Sequence, residues 1–165
     1  MKSQILKPTD SDLVQNEVSV FLAGTIEMGK SEDWQSIVQE RLKDLPVTFF
    51  NPRRDSWDSS WEQRETNKEF NKQVNWEIDR LKECSIIFMN ILPDSKSPIS
   101  LLELGLFAES GSIIICCPDG FYRKGNIEVV CSRYKIPLYD NFDKAIGSLE
   151  SLIAQIMSDS YRFKL

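Results

Sequence analysis

Residues 98–111, PISLLELGLFAESG, are almost all apolar or small, yet Glu103 stands between Leu102 and Leu104. A carboxylate in such surroundings is costly to bury unless it is paired. Its pKa is then open to tuning, and a tuned carboxylate can serve as acid, base or nucleophile. Spacing alone leaves two readings. Ser100-Leu-Leu-Glu103 fits a capping box, in which Glu103 reaches back to the Ser100 amide. Ser97 followed by Pro98 is an equally natural helix start. It puts Glu103 in the second turn, where the cost of its placement marks a reactive acid.

The rest of the inventory narrows the chemistry to groups of this kind. There is no histidine, which removes Ser–His triads, Cys–His dyads and histidine-bearing zinc sites. Cys84, Cys116, Cys117 and Cys131 form no C-x-x-C pair and read as reduced, mostly buried thiols. Acid–base and nucleophilic work falls mainly to carboxylates, with Tyr, Lys or Cys as lesser candidates. Glu77 is the second carboxylate. It lies beside the apolar face formed by Phe70, Val74, Ile78 and Leu81, either solvated or turned to a ligand.

The elements that position these groups alternate along the chain. VSVFLAG (18–24), VTFF (47–50), SIIFMNIL (85–92), SIIICC (112–117) and IPLYD (136–140) read as strands, the third apolar enough to be covered on both faces. Helices are expected over 31–45, 68–84, about 98–110, within 120–135 and over 142–158. This order predicts a three-layer α/β/α domain with a five-stranded parallel sheet, doubly wound in the flavodoxin-like or Rossmann-like manner. It occupies residues 18–165 as a single domain behind an irregular N-terminal extension, residues 1–17.

In such a sheet ligands bind beyond the C-terminal ends of the strands, where strand order reverses. Four loops meet there: 23–30, 51–57, 92–105 and 118–126. The Gly24-Thr25 turn admits a ligand close to the backbone or simply ends a strand. Lys30 is set aside as a phosphate-loop lysine. Arg53 and Arg54, after Asn51-Pro52, suit carboxylate or phosphate recognition, or pair with Asp55 and Asp58 at the surface. Trp57 and Trp61 stack on a base or cover the core. Asn67, Asn71 and Asn75 make a polar stripe that is solvated or faces a ligand.

Composition adds exclusions. The net charge of −5 and the lack of a basic stretch argue against duplex nucleic acid as a partner. No apolar run is long enough for a membrane span, and MKSQILKPTD lacks the apolar core of a signal peptide, so a cytoplasmic protein is expected.

VFLAGTI, NPRR, VNWEIDRLKECSIIFMN and SPISLLELGLFAESG, in this order, resemble the nucleoside 2-deoxyribosyltransferase family. The likeness runs from about residue 18 to residue 135 and is greatest to the bacterial and phage deoxyribosyltransferase-like members; its most specific element is E-L-G-x-x-A-x-x-G, Glu103 to Gly111. The resemblance implies that Glu103 attacks the anomeric carbon of a nucleoside and expels the base. The glycosyl-enzyme ester then passes to another base or to water. It places Glu77 where an acidic residue orients substrate or handles protons near the base. Gly24, Thr25, Asn51, Arg53, Trp57, Asp94 and Ser97 are the expected substrate-binding positions, with Asn126 of the partner subunit completing the site of a homodimer or higher homo-oligomer. No metal or organic cofactor is required.

Two positions depart from the family's patterns. Ser97 stands where transferases carry aspartate and where the related deoxynucleoside monophosphate N-hydrolases have a serine that touches the 5′-phosphate. Glu27 stands where those hydrolases have arginine; Asp94 is near enough to take the missing aspartate's role. A nucleoside or nucleotide substrate is expected. The alternative is a non-catalytic protein on the same fold that senses or sequesters a nucleotide.

Overall fold

The computed structural model describes residues 2–10, 16–27, 31–54 and 60–162, with side chains as far as residue 160. Six strands form one sheet: β1 (Gln4–Leu6), β2 (Val18–Gly24), β3 (Val47–Phe50), β4 (Ile86–Asn90), β5 (Ile113–Cys116) and β6 (Leu138–Tyr139). Their order is β1-β3-β2-β4-β5-β6, and every pairing is parallel. Without β1 this is the flavodoxin-like winding, which reverses direction between β2 and β4.

The sixth strand corrects the sequence expectation of five strands and an irregular residue 1–17 segment. Gln4–Leu6 run beside β3, with Ile5 opposite Phe49, and Asn51 N–H donates to the Leu6 carbonyl at 2.9 Å. Three residues are too few to display a period; the edge of β3 supplies the pattern they adopt.

Among the described residues, five α-helices cover the sheet: α1 (Trp34–Arg41), α2 (Lys68–Glu83), α3 (Pro98–Phe107), α4 (Lys124–Tyr134) and α5 (Phe142–Arg162). α1 starts later than Ser31 because Asp33 is its cap, accepting from the Ser36 amide at 3.2 Å. α5 runs past 158 to Arg162, and its apolar stripe, Ala145, Ile146, Leu149 and Ile153, packs it along the sheet.

Strand alternation sorts the core into two layers. Val18, Val20, Leu22, Ile86, Phe88 and Ile114 pack under α1 and α5. Phe21, Ala23, Ile87, Met89 and Ile115 pack under α2, α3 and α4 through Leu81, Leu104, Ala108, Ile127 and Cys131. Among the described residues no helix is long and apolar enough to cross a membrane.

Candidate active site at the sheet crevice

The switch point of the sheet lies at the C-terminal ends of β2 and β4. Gly24 and Asn90 are opposite each other in the last register, and the Thr25 amide donates to the Asn90 carbonyl at 2.9 Å. Gly24 has φ +131°, and a Cβ there would lie 2.0 Å from the Asn90 oxygen. Only glycine fits so close an approach in that conformation.

Thr25 is the hub of the next layer. Its Oγ1 accepts from the Leu92 amide at 3.0 Å and lies 2.6 Å from Ser97 Oγ and 3.0 Å from Ser95 Oγ. Ser95 and Ser97 hydroxyls are 2.8 Å apart, and Ser95 donates to the Leu92 carbonyl at 2.8 Å. All three side chains are buried. The cluster ties the loop after β2 to the loop after β4. The Thr25 carbonyl in turn accepts from Trp34 Nε1 at 2.9 Å, which anchors this turn to α1.

Ser97 also decides the two readings of Glu103. It sits just before α3 in a left-handed conformation, φ 42°, with Pro98 opening the helix and no capping bond from its hydroxyl. The helix therefore begins at Pro98, Ser100 is buried inside it, and Glu103 falls in the second turn. The capping-box reading does not apply. Among the described residues no donor reaches the Glu103 carboxyl. Burial pushes its pKa up to about 8, and the negative charge of Glu77 adds to the rise.

Glu77 arrives from α2. Its Oε1 accepts from Gln73 Nε2 at 2.7 Å, and the same Nε2 donates to the Pro52 carbonyl at 3.1 Å. Burial raises the Glu77 pKa to about 7, and the Gln73 bond, which favours the ionised form, holds it back. The two carboxyls thus form one titrating pair. Their repulsion falls on whichever ionises second, and that is Glu103.

The other sequence candidates fall into different places. Asn51 is buried, and its Oδ1 accepts from the Arg53 amide at 2.9 Å, which shapes the turn after β3. Arg53 donates to the carbonyls of Ser31 at 2.9 Å and Glu32 at 3.3 Å, so its guanidinium braces the loop before α1. Arg54 stacks 4.8 Å from the centre of the Trp61 ring and bonds Glu69. Asn67 caps α2, while Asn75 bonds Asn71 at 2.9 Å; two members of the polar stripe are satisfied within their own helix and the third at its start. Asp94 is exposed on the loop after β4, and Asn126 is exposed in the first turn of α4. Trp57, Asp55, Asp58 and Lys30 lie outside the described residues.

The run Gly24 to Ser31 does spell G-x-x-x-x-G-K-S. A phosphate loop needs a helix to start at the Lys-Ser pair, whereas α1 starts at Trp34 behind the Asp33 cap. Gln73, Pro52 and Ser95 escaped the sequence reading. For Gln73 a signal existed: Gln and Glu four apart on one helix are hydrogen-bonding neighbours. Among the described residues no group of three or more Cys, Asp or Glu is placed to hold a metal.

A pair of half-buried carboxyls, one bare and one braced, is the equipment that cleavage of a glycosidic bond uses. Residues 17–121 match the family model described as nucleoside 2-deoxyribosyltransferase like. No curated protein matches the chain.

Proposed function

Because the chain belongs to the nucleoside 2-deoxyribosyltransferase-like family, we propose that it breaks the N-glycosidic bond of a (deoxy)nucleoside or its 5′-monophosphate with Glu103 as nucleophile. What supports this reading is the coupling of two desolvated carboxyls, Glu77 on α2 and Glu103 on α3. The free pair loses its first proton from Glu77 and keeps the second on Glu103; in the working form that remaining proton has passed to Glu77, leaving Glu103 ionised. An oxygen of ionised Glu103 bonds to the anomeric carbon as the bond to the base nitrogen breaks. The electron pair leaves with the base, which takes the Glu77 proton. Water or a second base then displaces Glu103 from the ester, returning a proton to Glu77.

Substrate positions follow from the same crevice. In this reading Ser97, before α3, exchanges its bond to Thr25 for one to a 5′-phosphate, and Asp94 bonds a sugar hydroxyl. Arg53 acts at one remove, through the loop it braces, and Asn51 through the turn it shapes.

A second copy of the chain completes the site. On α3, Ile99, Leu102 and Leu106 are 59%, 58% and 61% exposed, an apolar face on which Glu103 has Ile99 and Leu106 as its helical neighbours. Val129 on α4 is 70% exposed and Tyr122, just before α4, 59%. Covering this face dries the Glu103 ester and brings Asn126 of the partner subunit to the crevice.

The test incubates the protein with deoxynucleosides and their 5′-monophosphates, with and without acceptor bases. Released base marks hydrolysis and exchanged base marks transfer. Neither, with tight nucleotide binding, leaves the second reading, a non-catalytic nucleotide binder. One observation favours that reading: burial keeps Glu103 largely neutral at pH 7, and a neutral carboxyl does not attack.

A further inference from the structure

We infer that Gln73 is a positioning residue for Glu77, holding Oε1 as a permanent acceptor so that Oε2 is the oxygen that takes and gives the proton. Its meaning for turnover rests on the catalytic reading of the carboxyl pair; the hydrogen-bond argument stands without it.

Gln73 is buried in α2, 4% exposed, and makes two bonds from one nitrogen, to Glu77 Oε1 and to the Pro52 carbonyl. A peptide carbonyl can only accept. Turning the amide over would set Gln73 Oε1 against the Pro52 oxygen and forfeit both bonds. Nε2 is therefore held towards Glu77 by a partner that never changes protonation. The consequence is visible on the other side of the amide, where Oε1 is buried with no hydrogen-bond partner. A freely turning amide would avoid leaving an acceptor bare. Here two bonds outweigh one orphan.

A proton on Glu77 Oε1 would point at the incoming N–H, so protonation is directed to Oε2. The bond also strengthens when Glu77 ionises, because the acceptor becomes charged. The other charged groups around this carboxyl do not substitute for it. Glu103 on α3 opposes ionisation of the pair. Arg53 and Arg54, after β3, are turned to the Ser31 and Glu32 carbonyls and to Glu69, and Arg80 on α2 pairs with Glu83 at 2.6 Å.

The decisive measurement follows the side-chain amide signals of Gln73 by ¹H–¹⁵N NMR in the wild-type chain from pH 5.5 to 9. Both amide protons should shift with a midpoint near the Glu77 value of about 7, and the shift should vanish in Glu77→Gln. A flat wild-type titration, or one that persists in Glu77→Gln, overturns the inference. In Gln73→Met, which keeps the side-chain bulk and removes the donor, the Glu77 carboxyl ¹³C midpoint should rise by about one pH unit or more. An unchanged midpoint in the folded variant also overturns it. If Gln73→Met fails to fold, the wild-type titration still decides. With 2′-deoxyadenosine 5′-monophosphate as probe, kcat of Gln73→Met should fall about tenfold with KM little changed. Wild-type protein that releases no base from any nucleoside sinks the catalytic reading, whereas the NMR titration still judges Gln73. Turnover with flat amide signals sinks Gln73 alone.

Discussion

Under α1 and α5 the sheet meets Trp34, Val38, Leu42, Leu149 and Ile153, and the polarity buried on that side belongs to glutamines: Gln35, fully buried with both amide atoms unpartnered, and Gln39. Under α2 and α3 a buried glutamine, Gln73, is joined by ionisable groups, with Glu77 and Glu103 raised towards and above neutrality. An amide costs the same at every pH, but a buried carboxyl costs most when it is charged. The first layer therefore carries a constant penalty, and the second adds a switchable one to its own. Their outer surfaces differ as well. α5 turns polar residues outwards along its length, whereas α3 leaves Ile99, Leu102 and Leu106 uncovered beside Glu103. The outer face of α5 is polar and that of α3 is apolar.

The largest effect should come from removing the switchable charge. Glu103→Gln keeps shape and forfeits attack, so base release should fall by about 10³-fold or more, measured by chromatography of the free base. Its stability should move the other way, with a definite sign. Unfolded, Glu103 loses its proton near 4.5; folded, it keeps it to about 8. Between those values the native state binds more protons, so its stability falls as pH rises. Glu103→Gln should accordingly be the more stable protein at pH 9, by the order of 3 kcal/mol, and gain little at pH 4. Equal denaturant midpoints for both proteins at pH 9 would mean that Glu103 is not desolvated.

Next in size is complementation. Inactive Glu103→Ala and Asn126→Ala proteins, mixed and allowed to exchange subunits, should regain up to about half the wild-type sites per dimer. A mixture that stays dead after exchange is verified, or a chain that sediments as a monomer, would return the uncovered α3 face to some other use.

The pH profile should be gentler. If a singly protonated pair is the working form, kcat/KM rises through about 7 and declines through about 8 as the pair loses its first and second protons. A rate that rises without limit to pH 9 would show that Glu77 need not carry a proton. The smallest change concerns the other layer. Gln35→Met exchanges an unpartnered amide for an apolar chain of similar length and should stabilise by about 1–2 kcal/mol in urea, equally at pH 5 and pH 9. A pH-dependent gain would break the contrast between the layers.

Much of this was legible in the chain. The apolar strands at 18–24, 85–92 and 112–117, with helical patterns between them, point to a parallel sheet, because a strand reached through a helical crossover lies parallel to the one before it. Gly24 announced a tight turn, and Glu103 among leucines announced a carboxyl out of place, both being properties of immediate neighbours. What only the tertiary structure decided is long-range. Gln4–Leu6 became a strand because β3 had an edge to fill. Thr25, Ser95 and Ser97 came together because β2 and β4 end side by side. Glu77 came to act on Glu103 because α2 and α3 lie on the same face of the sheet. Periodicity is set by residues a turn apart, whereas desolvation and charge coupling depend on which distant surfaces the fold presses together, and no local pattern records that.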